Sequence, residues 1–145
     1  FALRATLAPV PAAAVAAASP APRPALDRLG LLVENDDDLR RALCLLLERW
    51  GVSVLDAATG EAALALIDEV GVVPDFVLAD QALGSGMDGL AFLAAFAARH
   101  GPLPARIITA DRGAALAAAC AAAGVAPLYK PIDAAALDAF VTRGA

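Results

Sequence analysis

The chain has 145 residues, 60% of them hydrophobic and 19% charged, and a net charge of −5 at pH 7. That length accommodates one domain, or one domain with a tail. The acidic balance excludes broad electrostatic attraction to nucleic acid and is compatible with a site that holds a metal cation.

Residues 1–7 alternate like a strand, with Phe1, Leu3 and Leu7 as the larger apolar members. An Ala/Pro tract follows over residues 8–25. Pro9 and Pro11 interrupt the apolar core that a signal peptide would need, so the tract reads as a semi-extended spacer. The boundary falls near Leu26, giving a tail over residues 1–28 and a folded domain over residues 29–143. No apolar run is long enough to cross a membrane, which needs roughly 20 residues. Cys44 and Cys120 lie far apart in apolar helical patterns, as expected of buried free thiols in a reducing cytoplasm.

Residues 29–33 form the first expected strand, which ends at Glu34 and Asn35. Asp36 or Asp37 then caps a helix that runs to about Trp50. Its Leu39, Leu43, Leu46, Leu47 and Trp50 recur at helical spacing and form a buried stripe. Leu45 falls outside that stripe, among Arg41, Glu48 and Arg49, and is a candidate partner contact. Residues 52–55 give a second strand. Thr59 opens a helix with Ala63, Leu66, Ile67 and Val70 facing inward, ended by Gly71.

Residues 74–80 form an apolar run without alternation that stops at Asp80. Such a run suits a parallel strand covered on both faces. After a polar, glycine-rich turn, residues 88–99 read as a helix with Leu90, Leu93, Ala94 and Ala97 inward. Residues 106–109 are the fourth strand, and Asp111 is expected to cap an alanine-rich helix to about Ala123. Residues 125–129 are the fifth strand, closed by Lys130 and Pro131. Asp133 caps a last helix that buries Leu137, Phe140 and Val141.

Five strands alternating with five helices imply an α/β fold, a flavodoxin-like doubly wound parallel sheet of order 2-1-3-4-5. That order sets the ends of strands 1 and 3 side by side, so Glu34, Asn35 and Asp80 converge, while Thr109 and Lys130 line the same rim. Carboxylate and amide oxygens without sulfur or imidazole suit Mg²⁺. A lysine and a threonine hydroxyl suit an anion. Together they match phosphoryl transfer onto Asp80.

The sequence resembles the receiver domain of two-component response regulators. Five spaced elements carry the resemblance: Leu31-Leu32-Val33-Glu34-Asn35-Asp36, Phe76-Val77-Leu78-Ala79-Asp80, Met87-Asp88-Gly89-Leu90, Ile107-Ile108-Thr109-Ala110 and Leu128-Tyr129-Lys130-Pro131. It implies that Asp80 accepts phosphate from a phosphohistidine with Mg²⁺. It also implies that Glu34 and Asn35 occupy the acidic-pair positions, and that the Ala82 carbonyl is a further metal ligand. Thr109 would be the switch hydroxyl, Lys130 the phosphoryl-binding lysine, and Lys130-Pro131 a cis bond. The implied partner is a histidine kinase or a histidine phosphotransfer domain.

Three departures stand out. Asn35 replaces an acid, Pro127 occupies the position of the usual switch aromatic, and the turn after Asp80 is one residue longer than the common pattern. With the Ala/Pro leader, these look most like the C-terminal receiver of a bacterial hybrid sensor histidine kinase; residues 1–7 are similar to the last strand of a kinase ATP-binding domain. No kinase machinery lies in the chain itself. The alternative is a pseudo-receiver that serves only as a protein-interaction module. Helices rich in alanine argue against a salt-bridged dimer, and neither DNA binding nor direct membrane contact is expected.

Gly84, Gly86 and Gly89 spell a dinucleotide fingerprint, but they follow the third strand and not the first, so a mobile turn is the better reading. A hydrolase would need an aspartate where Ala82 stands. His100, at a helix end, is expected to be exposed to solvent.

Overall fold

We describe residues 15–16 and 26–143 of a computed structural model. Each apolar run becomes a strand, and the five main strands are β1 (Arg28–Val33), β2 (Val52–Ala57), β3 (Phe76–Asp80), β4 (Ala105–Thr109) and β5 (Ala126–Tyr129). They pair in parallel in the order β2-β1-β3-β4-β5, the expected doubly wound sheet. Five helices surround it among the described residues: α1 (Asp37–Arg49), α2 (Gly60–Val70), α3 (Gly89–His100), α4 (Ala114–Ala123) and α5 (Ala134–Arg143).

Alternation along the strands splits the core into two layers. Leu32, Phe76, Leu78, Ile108 and Leu128 meet Leu39, Leu43, Leu47, Leu137, Phe140 and Val141 on the side of α1 and α5. Leu31, Val33, Val77, Ala79 and Ile107 meet Ala63, Leu64, Ile67, Phe92, Phe96 and Cys120 on the side of α2, α3 and α4. Phe76 and Phe140 pack edge to face at 5.6 Å. Gly30 pairs in register with Phe76, and a Cβ at Gly30 would collide with that ring.

The helix ends follow their capping residues. The side chains of Asp36, Thr59 and Asp88 accept from the amides of Leu39, Ala62 and Ala91, and Gly71 and Gly124 close α2 and α4 in the left-handed conformation. Asp111 does not cap α4. Gly113 is the cap residue, without a side-chain bond, because Asp111 Oδ1 instead accepts from the Gly113 amide at 2.8 Å.

Two inward stripes differ from the sequence reading. In α2 the buried residues are Gly60, Ala63, Leu64 and Ile67, whereas Leu66 is partly buried and Val70 exposed. In α3 Phe92 and Phe96 are buried, Leu90, Leu93 and Ala97 flank them, and Ala94 is exposed. Both helices are rich in alanine, so the apolar contrast around them is too shallow to fix a rotation, and the largest side chains take the core.

The tail lies outside the described residues except at two places. Val15–Ala16 pairs in parallel with Ile132–Asp133, a contact absent from the sequence reading. The Leu26 amide donates to the Gly51 carbonyl at 3.1 Å. The expected strand over residues 1–7 lies outside the described residues. No helix among them is long and apolar enough to cross a membrane.

Phe76→Ala should lower stability by about 3–5 kcal/mol, because a fully buried ring is lost and a cavity remains. The midpoint of urea unfolding, at unchanged slope, measures this. A loss under about 1 kcal/mol would show that the Phe76 contacts carry little of the packing.

Candidate functional site

Side-chain alternation decides which residues meet at the carboxyl ends of the strands. On β3, Phe76, Leu78 and then Asp80 fall on the α1/α5 side. Glu34 continues the same phase beyond Leu32, and Lys130 continues it beyond Leu128. Three polar residues therefore reach one side of the rim from three different strands. Lys130 Nζ lies 3.4 Å from Asp80 Oδ2 and 3.6 Å from Glu34 Oε1. Glu34 is fully buried and Asp80 is 3% exposed.

One ammonium between two buried carboxylates leaves an excess negative charge in a poorly solvated place. Glu34 absorbs the cost. Burial first, and the neighbouring Asp80 after it, push its carboxyl group up to about 7, against the opposing pull of the Asp36 amide and Lys130. Glu34 Oε2 accepts from the Asp36 amide at 3.0 Å, whereas Oε1 is buried without a hydrogen-bond partner. Asp80 Oδ1 accepts from the Ala82 amide at 3.2 Å.

Thr109 lies on the opposite phase of β4, 5% exposed, one residue beyond the register partner of Asp80. Its Oγ1 accepts from the Asp111 amide at 2.9 Å, which leaves its own O–H available to donate. The Lys130 amide donates to the Thr109 carbonyl at 2.8 Å, so the lysine and the threonine are linked through the backbone. The Lys130-Pro131 bond is cis. Asn35 stands exposed between Glu34 and Asp36.

The residues present fit a hard divalent cation on one observation. Glu34 Oε1 is a buried oxygen acceptor lacking a hydrogen-bond donor, and it shares Lys130 with a second carboxylate, that of Asp80. The fit is incomplete in charge: among the described residues no three His, Cys, Asp or Glu side chains form a metal-holding group.

Other contacts set the walls of the site, and the sequence reading missed them. Gln81 Oε1 accepts from the Leu90 amide at 3.0 Å, and Glu61 Oε2 accepts from the Met87 amide at 3.0 Å, pinning both ends of the long turn after Asp80. Gly89 is required there, since a Cβ would press on the Asp80 carbonyl. The Arg112 guanidinium lies 4.5 Å over the Tyr129 ring. Pro127 is accommodated because β5 is an edge strand. Arg40 binds the Glu34 carbonyl at 2.7 Å; its i,i+3 spacing from Asp37 was the available signal.

Of the remaining residues singled out in the sequence, Leu45 is 61% exposed on α1. Cys44 and Cys120 are free, and burial raises both thiols, Cys44 to about 11. His100 is not exposed as expected. Its side chain is 18% accessible, its ring packs 4.7 Å from that of Phe96, and Nε2 sits 4.0 Å from Asp68.

The response regulator receiver domain family matches residues 31–142. Comparison with curated proteins finds no match. Among solved structures, a candidate response regulator from Chloroflexus aurantiacus is 30% identical, with a TM-score of 0.69, over 80% of this chain and 95% of that one. NtrX from Brucella abortus is 28% identical, with a TM-score of 0.72, over 81% of this chain. The match spans only 27% of NtrX. A two-component response regulator from Clostridium difficile shares the fold at 22% identity, with a TM-score of 0.72 over 81% of this chain and 94% of that one.

The raised Glu34 group makes a pH prediction for the metal-free protein. A carboxyl whose folded pKa lies above its unfolded value contributes stability that is complete below about 4.5 and lost as pH rises through about 7. Glu34→Gln should therefore raise the thermal midpoint at pH 8, and the gain should shrink toward pH 5. An equal change at both pH values would contradict the buried-charge account.

Proposed function

This chain belongs to the response regulator receiver domain family, and from that premise we propose that Asp80 is the acceptor of a phosphoryl group delivered by a phosphohistidine. The observation that carries the reading is the buried Asp80 carboxylate with Lys130 Nζ at 3.4 Å. A carboxylate oxygen attacks phosphorus, a P–O bond forms as the P–N bond to the donor imidazole breaks, and the imidazole nitrogen leaves with a proton. Lys130 offers its ammonium to the phosphoryl oxygens, and the Thr109 O–H donates to another. The Ala82 amide holds Asp80 Oδ1, which orients the carboxylate before the donor arrives.

Mg²⁺, when bound, would neutralise charge developing on the transferring group. Glu34, Asn35, Asp80 and the Ala82 carbonyl are the residues proposed to hold it, and Asn35 makes that site weaker than one built on two acids. The donor is a histidine kinase or a histidine phosphotransfer domain, and Leu45, exposed on α1, is the contact proposed for its helical bundle. The departures at Asn35 and Pro127 favour the receiver of a cytoplasmic hybrid sensor histidine kinase as the parent.

One observation favours a second reading, a pseudo-receiver that only binds partners. The described residues offer no trio of acidic, His or Cys side chains at the site. Magnesium titration separates the two: no binding at tens of millimolar, far above the range of ordinary carboxylate sites, would support the pseudo-receiver.

Incubation with acetyl phosphate and Mg²⁺ should add about 80 Da, the mass of one phosphoryl group. Asp80→Asn should abolish that addition; a variant that kept it would remove Asp80 from the acceptor role. Transfer from a phosphorylated kinase should slow about tenfold or more in Leu45→Glu, as for loss of an apolar anchor at an interface. An unchanged rate would place the docking surface elsewhere.

A further inference from the structure

Arg40 stands one turn into α1 and contacts three separate parts of the fold. Nη1 donates to the Glu34 carbonyl at 2.7 Å, Nη2 to Asp37 Oδ1 at 2.7 Å and Nε to Asp56 Oδ2 at 3.1 Å. The two carboxylates are 82% and 44% exposed, so as ion pairs they contribute little. Their effect is geometric: they fix the guanidinium plane, and the plane fixes the carbonyl. Arg40 itself is only 20% exposed, which protects a charge-assisted bond to that carbonyl from water.

The same turn is held on both sides of Asn35. The Glu34 amide donates to the Ala57 carbonyl at 3.1 Å and the Arg40 amide to the Asp36 carbonyl at 2.9 Å. The Asp36 amide donates to Glu34 Oε2, and Asp36 Oδ1 accepts from Leu39. Glu34 and Asp36 are thus anchored on both sides of Asn35, and the Glu34 carbonyl, the atom joining Glu34 to Asn35, is anchored by Arg40.

We infer that Arg40 is a positioning residue for the cation side of the site, holding the turn so that the Glu34 carboxylate and the Asn35 side chain face the ion together. This rests on the proposed Mg²⁺-assisted acceptor function. With a neutral amide in place of an acid, attraction alone organises the site less well, and prior positioning matters more. A lysine cannot replace the contact, because its single ammonium cannot serve three acceptors lying in the directions of a planar fork.

The sign of the effect tests the inference. Arg40 is a cation near a cation site, so if it acted only through charge, removing it would tighten Mg²⁺ binding. Positioning predicts the reverse. Mg²⁺ titrations followed by backbone amide NMR shifts of residues 34–36 and 80–82 should give a dissociation constant about tenfold higher in Arg40→Met, the usual scale for loss of an outer-shell partner. Arg40→Lys, which keeps the charge, should also bind several-fold more weakly. Thermal midpoints in chelator separate a general loss of stability, which would leave the constant of the folded protein unchanged. An unchanged or tighter constant in either variant would overturn the inference while leaving the acceptor function standing. If Arg40→Met fails to fold, Arg40→Lys decides alone. An unaltered chain that bound no Mg²⁺ would fail the functional reading itself and overturn this inference with it.

Discussion

The ammonium of Lys130 between the carboxylates of Glu34 and Asp80 is the interaction around which the rest is arranged. Two anions brought this close out of water repel each other, and each is costly to desolvate. A single cation offsets part of that cost. The remainder appears as a Glu34 carboxyl group that holds its proton to about 7. Such a cluster persists only because the framework beneath it is rigid. Leu32, Leu78 and Leu128, the neighbours two residues earlier along the chain, are packed into one core layer; the parallel register sets Asp80 level with Leu128, so Lys130 stands two residues beyond it and its side chain spans the difference.

The strand ends were legible in the sequence because each apolar run stops at a polar residue, and those residues converge once the parallel order is known. Helix rotation was less legible. In α3 the spacing of Leu90, Leu93 and Ala97 mimics an inward stripe, yet Phe92 and Phe96 take the core, since alanine neighbours make no rotation clearly polar. Asp111 reads as a cap but closes a short turn with Gly113. His100 follows Phe96 by one helical turn, and ring-on-ring packing holds it against the protein. Of the Arg40 clamp only the i,i+3 pair with Asp37 was legible, because Asp56 comes from β2 and the third acceptor is a backbone carbonyl.

Around the cluster, the loops are fastened by single side chains. Glu61 reaches across from α2 to Met87, and Gln81 reaches forward to Leu90. Arg112 rests on Tyr129, tying the loop after β4 to the edge strand. Pro127 stands two residues before Tyr129 on the same face of β5, and the Arg112 stack on Tyr129 joins that strand to the loop after Thr109. The wall of the site is thus built from a few directional bonds set on a close-packed floor, so the loops are softer than the strands that carry Asp80 and Lys130.

The pairing of Gly30 with Phe76 acts at the far end of the same strands. A strand can slip by two residues without turning its side chains to the wrong face, and alternation alone does not forbid such an error between β1 and β3. The notch at Gly30 does. A slip in either direction would set Arg28 or Leu32 where the ring of Phe76 now lies, and neither leaves space for it. One missing side chain therefore works as a keyway that admits a single alignment, and it fixes how far Glu34 stands from Asp80 from the opposite end of the two strands.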